Sequence, residues 1–337
     1  MNKTGQIGVI GAGSWGTALA NHLAGLGLST RLWAYEAELV EQMTATRENV
    51  LFLPGVGLHA NLSFTNSLAE AAVGTEILLL VSPTQVMRSV LAQLKPHVAA
   101  DTLLVSAAKG IENESLLTMS EVLNQVFGAA VAERSAFLSG PSFAREVAQG
   151  QPTAVAVASV DSGVAQRVQD LFSSDAFRVY TNDDVMGVEI GGALKNVIAL
   201  ATGVCDGLGF GSNARAALIT RGLAEIARLG LAKGAKSATF AGLAGLGDLV
   251  LTCTGELSRN RTVGLQLGQG RKLEAILAEM HMVAEGVKTT LSAYQLAQRL
   301  NVEMPITTEM YRILYADKEP SAAVADLMLR GLKSELG

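Results

Sequence analysis

Short, unbroken apolar runs alternate with stretches of helical spacing in the first half of the chain, and only helical spacing continues in the second. Gln6–Ile10 is the first run; 76–82, 102–107 and Ala136–Ser139 follow, and 30–34 also reads as a strand from its place after the Gly25-Leu26-Gly27 break. None of them shows the strict alternation of a strand with one wet face. They predict strands covered on both sides, as in a parallel sheet packed between helices. Thr84–Leu94 carries helical spacing and stops at Pro96. Thr153–Ala158 and 177–180 predict two further strands around a helix over Ser162–Phe172. After Val185 the strand signal ends. Segments 185–204, 213–230 (with Asn213 as N-cap), 274–280, 288–300 and 321–331 predict helices. The change of pattern divides the chain into an α/β domain over 1–184 with a mostly parallel sheet and an all-α domain over 185–337.

Gly11-Ala12-Gly13-Ser14-Trp15-Gly16 lies directly between the first strand and the first helix. In that place the first glycine makes a tight turn, the second lets backbone approach a pyrophosphate, and the third packs helix against strand. The helix start adds N–H groups and a positive dipole end. Such spacing also occurs in glycine-rich turns of other parallel sheets, so its position carries more than its pattern. The second strand ends at Tyr35-Glu36, about 20 residues on, where ribose-binding acids fall. Together these features predict a Rossmann-type dinucleotide domain.

A length of 337 residues exceeds what one core usually serves, in keeping with two domains. The chain is 49% hydrophobic and 17% charged, a balance of packed α/β and helical cores. Its most apolar stretch, 185–205, carries Glu189, Lys195 and several glycines, which predicts a buried helix and no membrane insertion. Met1-Asn2-Lys3 runs straight toward the glycine turn without a signal peptide, so the expected compartment is the cytoplasm. Cys205 and Cys253 make neither a disulfide framework nor a metal spacing, and no metal is expected. A net charge of -5 provides no general field for nucleic acid. Any phosphate affinity must be local.

Several residues could supply chemistry. Lys195 stands in the apolar run Gly191-Gly192-Ala193-Leu194-Lys195-Asn196-Val197. Burial there would lower its pKa toward neutrality and suit it to proton transfer, unless its stem carries the amine out to water. Gly191 and Gly192 each cost a helix about 1 kcal/mol relative to alanine, so a close approach by ligand or backbone would explain them. Asp248 and Thr252 follow a glycine-rich turn. Ser258-Arg259-Asn260-Arg261 opens another helix, either as a phosphate or carboxylate receptor or as a solvated cap with surface arginines. Lys109-Gly110 and Gly140-Pro141-Ser142 leave the carboxyl ends of strands, where open α/β sheets bind ligands. His22, His59, His97 and His281 lie outside these segments, which leaves lysine as the leading proton donor.

Gly-Ala-Gly-Ser-Trp-Gly-Thr-Ala, Ser-Ala-Ala-Lys-Gly, Ser-Gly-Pro-Ser-Phe-Ala, Gly-Gly-Ala-Leu-Lys-Asn-Val, Ala-Gly-Leu-Gly-Asp-Leu and Ser-Arg-Asn-Arg occur in this order. From about residue 6 to beyond 315 the chain closely resembles bacterial NAD(P)-dependent glycerol-3-phosphate dehydrogenases. The resemblance implies NAD or NADP as cofactor and reduction of dihydroxyacetone phosphate to sn-glycerol 3-phosphate, a small phosphate ester of glycerophospholipid synthesis. It implies cofactor contacts from Gly11, Gly13, Ser14, Trp15, Gly16, Tyr35, Lys109, Ala144, Arg259, Val283 and Glu285. It further implies a substrate site of Lys109, Gly140, Ser142, Lys195, Asp248, Ser258, Arg259 and Asn260, with Lys195 catalytic and Asn196 and Thr252 in support. A homodimer is expected on the same ground. Two rivals stay open: a related lysine-using enzyme of the same architecture, whether a 3-hydroxyacid or 6-phosphogluconate dehydrogenase or a ketopantoate reductase, and a nucleotide-binding regulator without turnover. Cofactor preference is also open, since Glu36 opposes a 2′-phosphate whereas Arg31 stands close enough in sequence to counter it.

Overall fold

Eight strands of this chain form one sheet, and their order creates a crevice at the first of them; Glu48–Asn49 and Leu53–Gly57 pair separately. In chain order the eight are β1 (Gln6–Ile10), β2 (Ser29–Trp33), β3 (Leu62–Thr65), β4 (Ile77–Leu80), β5 (Leu103–Ser106), β6 (Ala136–Ser139), β7 (Thr153–Ala158) and β8 (Phe177–Asn182). The computed structural model from which they are taken describes residues 6–280, 283–332, 334 and 335. Met1 to Lys3 and His281, considered above, lie outside the described residues.

Across the sheet the order is β8-β7-β6-β5-β4-β1-β2-β3. β1 pairs in parallel with β2 on one side and β4 on the other, so the chain reverses its winding there. β3 to β6 continue the parallel arrangement, whereas β7 runs antiparallel to β6 and parallel to β8. Successive residues feed two separate cores: Ile7, Val9, Leu79 and Val105 on one face, and Ile10, Leu78, Leu80 and Leu104 on the other. This two-sided burial is why the strands read as continuous apolar runs.

From Val185 onward the described residues form helices but no strands. The central one, α2 (Val185–Gly207), follows α1 (Ser14–Gly25), which opens at the glycine turn. Asp184 caps α2 by accepting from the Gly187 N–H. Of the most apolar window of α2, 94% is buried inside the protein. The segment Ser237–Thr254 is also long and apolar enough to cross a membrane, and 44% of its window is buried. Around α2 lie α3 (Ser212–Ala232), α4 (Asp248–Thr254), α5 (Arg259–Gly268) and α6 (Glu285–Leu300).

The crossing of α2 and α5 is unusually close. A Cβ on Gly203 would fall 2.1 Å from the Arg261 carbonyl oxygen, and one on Gly264 would fall 2.1 Å from that of Leu200. Gly207 and Gly268 repeat the contact one turn later, against Leu265 and Val204. Each helix thus carries two glycines four residues apart on one face, so main chain touches main chain.

Local details depart from the sequence expectations. α3 begins at Ser212 with Gly211 as its cap and no side-chain cap hydrogen bond, so Asn213 sits inside the first turn. The helix expected over 288–300 begins at Glu285, and that over 321–331 is Pro320–Met328. The expectation omitted β3, whose Ser63 and Thr65 interrupt its apolar pattern, and the helix Pro305–Tyr315.

Candidate active site

The glycine turn has the geometry of a dinucleotide cradle. Gly11 has φ +121°, and a Cβ there would meet the Ser82 nitrogen at 2.8 Å. On Gly16 a Cβ would fall 1.9 Å from the Gly11 carbonyl oxygen, while beside Gly13 there is open space. The turn, the open approach and the close packing fall on the three glycines in the order required. Ser14 Oγ donates to the Phe52 carbonyl at 2.6 Å. Trp15 and Ala144 pack against the same small cluster of Ala18, Leu53 and Val56, and the indole N–H of Trp15 is buried without a hydrogen-bond partner. Beyond β2, Tyr35 is 81% exposed and meets Trp33 edge-on.

Across the crevice, two strand ends and two helices converge on one carboxylate. Asp248, fully buried at the start of α4, accepts from Lys195 Nζ at 2.5 Å and from Lys109 Nζ at 2.7 Å. The two ammoniums take opposite oxygens. Lys195 also donates to Thr252 Oγ1 at 2.8 Å, and Lys109 to the Gly140 carbonyl at 3.1 Å. An ammonium has three N–H donors, so two bonds leave each lysine with one. Their side chains retain 9% and 12% exposure, respectively.

The electrostatics follow from this arrangement. Burial lowers the Lys195 pKa to about 8; the Asp248 charge acts upward against it, while Lys109 acts downward. Asp248 is held below the usual carboxylate range: burial acts to raise it and is outweighed by Lys109 and Lys195. Asp248 thus stands between two cations.

Gly191 and Gly192 are explained by close approaches. A Cβ on Gly191 would lie 2.5 Å from the Ala244 carbonyl oxygen, and one on Gly192 would lie 2.5 Å from Ser139 Oγ. Ala244 belongs to a wide π-type turn, Leu243–Gly247, that leads into Asp248. Removing two Cβ atoms from α2 therefore lets β6 and this turn close around Lys195.

The segment opening α5 divides into two roles. Ser258 Oγ caps the helix by accepting from the Arg261 N–H, and Arg261 turns away to pair with Asp206, which also holds Arg215. The Asn260 amide donates to Asn196 at 2.9 Å and accepts from the Gly286 N–H at 3.0 Å, tying α5 to α2 and α6. Arg259 is the exception. It remains exposed and has no hydrogen-bond or ion-pair partner among the described residues, although surrounding protein lowers its pKa by desolvation against the pull of Glu285.

Glu285 is a half-buried acid at the start of α6 whose carboxylate accepts from the Thr84 N–H, just beyond β4, at 3.3 Å. Burial raises its pKa, opposed by that hydrogen bond and by Arg259, Lys109 and Lys195. Val283 is half exposed. Ser142 Oγ donates to the Gly140 carbonyl at 2.9 Å, close to the Lys109 contact. The sequence reasoning missed Thr84, whose buried hydroxyl has no hydrogen-bond partner, and the Ser139 hydroxyl, 3.5 Å from Asp248. Their positions after β4 and at the end of β6 were the available signal.

Residues 6–165 match the family model described as NAD-dependent glycerol-3-phosphate dehydrogenase N-terminus, and 184–325 match that of its C-terminus. Over 332 residues the chain is 64% identical to the glycerol-3-phosphate dehydrogenase (NAD(P)+) of Geobacter metallireducens, covering 98% of this chain and 99% of the relative. The crystal structure of glycerol-3-phosphate dehydrogenase from Coxiella burnetii superposes with a TM-score of 0.93 at 42% identity, covering 97% of this chain and 99% of that one. A ketopantoate reductase from Ralstonia eutropha, 14% identical with a TM-score of 0.62, shares the fold alone.

Proposed function

The chain belongs to the NAD-dependent glycerol-3-phosphate dehydrogenase family, and from that premise we propose how its residues divide the NAD(P)H-dependent reduction of dihydroxyacetone phosphate to sn-glycerol 3-phosphate. When bound, the reduced nicotinamide supplies hydride to the carbonyl carbon. Gly11, Gly13 and Gly16 with the start of α1 hold the diphosphate, and Ser14, Trp15, Tyr35, Ala144, Val283 and Glu285 line the remainder of the nucleotide's path. Lys109 and Arg259 face both cofactor and substrate.

Lys195 is the proton donor. With a pKa of about 8 it is largely protonated at neutral pH, and its remaining N–H is the one that meets the ketone oxygen. Charge developing on that oxygen is stabilised by the ammonium before the proton moves. Lys109 adds a second positive charge, of a kind often worth about 3 kcal/mol at a transition state. Asp248 orients both lysines and keeps Lys195 charged despite its burial. Arg259, with the N–H groups opening α5, takes the phosphate, while Gly140 and Ser142 border the substrate. Ser258 and Asn260 act chiefly by fixing the backbone of that anchor, since both side chains are already bonded.

The observation that carries this reading is the Lys109–Asp248–Lys195 arrangement, in which each amine keeps one donor. Division at 184/185, a cytoplasmic location and a homodimer complete the proposal. Loss of nicotinamide absorbance on mixing enzyme, NADH or NADPH and dihydroxyacetone phosphate tests it, with ketopantoate and 3-hydroxyacid precursors as a comparison panel. Turnover of the panel compounds with none of the phosphate ester would overturn it.

A further inference from the structure

The end of β2 lies beside the glycine turn: Trp33 pairs with Ile10, and the Gly11 N–H donates to the Trp33 carbonyl at 3.2 Å. Tyr35 and Glu36 follow at once, both exposed. Glu36 is the N-cap residue of the helix Ala37–Thr46, yet its side chain makes no cap hydrogen bond. A carboxylate here can accept from ribose hydroxyls and repels a phosphate placed on one of them.

The two cations of the surrounding segment are engaged elsewhere. From Leu28 to Thr75 the only lysine or arginine residues are Arg31 and Arg47, against Glu36, Glu38, Glu41, Glu48 and Glu70. Arg31 pairs with Gly8, two positions before the end of the strand. Its guanidinium donates to the Glu70 carbonyl, and the Gln6 amide, oriented with its oxygen inward, lies 2.7 Å from Nη2. Gln6 begins β1, at the opposite end of that strand from the glycine turn. Arg47 donates to the carbonyls of Leu62, Leu58 and His59 and lies over the Phe64 ring. Backbone oxygens therefore hold both guanidiniums.

Resting on the dinucleotide site described above, we propose that Glu36 makes this chain selective for NAD(H) over NADP(H), with Arg31 a structural tie and no part of a 2′-phosphate site. Calorimetric titration of the full chain with NAD+ and with NADP+ tests this without turnover. NAD+ binds at least about tenfold more tightly. Glu36→Gln narrows the ratio, Glu36→Arg removes or inverts it, and Arg31→Gln leaves it within about twofold. Equal or tighter binding of NADP+ by the unsubstituted chain, or selective loss of NADP+ affinity in Arg31→Gln, would overturn the selectivity while leaving the dehydrogenase reading intact. Failure of both dinucleotides to bind would overturn both.

Discussion

Lys195 Nζ lies 2.5 Å from Asp248 Oδ1, although the two residues are 53 positions apart and belong to different helices. Burial that would strip the amine of its proton is thereby balanced by an anion buried with it. Lys195→Ala removes the donor while leaving the glycine turn untouched. The expected result is a fall in kcat of about 100- to 10,000-fold with NAD(H) affinity near that of the parent. Stopped-flow turnover and dinucleotide titration on one preparation separate the two quantities; retention of kcat within a few-fold refutes the assignment.

A proton donor is active below its pKa. The rate of ketone reduction is therefore expected to decline as pH rises through about 8. Asp248→Asn withdraws the attraction that raises the Lys195 pKa and leaves Lys109 lowering it, so the alkaline limb moves to lower pH. Two buried amines also lose their counter-charge, a change of about 3–5 kcal/mol in stability. A pH–rate profile reads the first effect and urea unfolding the second.

Arg259 and Arg261 are neighbours in sequence with different environments. Arg259→Gln is expected to raise KM for dihydroxyacetone phosphate by about 10- to 100-fold, equivalent to losing a charged hydrogen bond of roughly 1.5–3 kcal/mol. Arg261→Gln breaks the pair with Asp206 and should instead lower the melting temperature. The prediction fails if the two substitutions raise KM equally.

Glu225, on α3, is a second buried acid with partners of its own. Its carboxylate accepts from the N–H groups of Ile306 and Thr307 and from the Thr307 hydroxyl, and burial raises its pKa from 4.5 to about 7. The folded state therefore holds this proton in a range where the unfolded chain has released it. The resulting stabilisation is complete below pH 4.5 and is lost as pH rises through about 7. Glu225→Gln removes this group's share of the pH dependence, which denaturant titrations at pH 5 and pH 8 would register as a smaller difference in unfolding free energy.

Gly203→Ala would drive a methyl into the Arg261 carbonyl, with backbone on both sides of the contact. Helix propensity favours alanine by about 1 kcal/mol, whereas overpacking costs about 1–3 kcal/mol. Net destabilisation is expected in thermal unfolding, together with a raised KM because the displaced partner is two residues from Arg259.

The sequence made the sheet legible because strands buried on both faces must be apolar throughout, and Gln6–Ile10, Ala136–Ser139 and Thr153–Ala158 were read to the residue. Lys195 was visible as a charge that an apolar helix would not otherwise tolerate. Its partnership with Lys109 was not, because Asp248 is 139 positions from that lysine and only the fold joins them. Nor could a sequence show that Asn260 bonds with Asn196 and Gly286 while Arg259 keeps its donors, since adjacent residues on a helix point in different directions. The antiparallel entry of β7 was hidden for a similar reason: strand direction leaves no trace in a short apolar run. The glycine pairs at 203/207 and 264/268 were not read from the sequence, because their meaning came only with the helix opposite.

Where the helices carrying Lys195 and Arg259 cross, Gly203, Gly207, Gly264 and Gly268 leave no side chain at those contacts to trim or enlarge. The spacing of the two helices is consequently a property of the main chain, like the gap of a fixed caliper. Widening or narrowing that gap requires moving a helix as a whole.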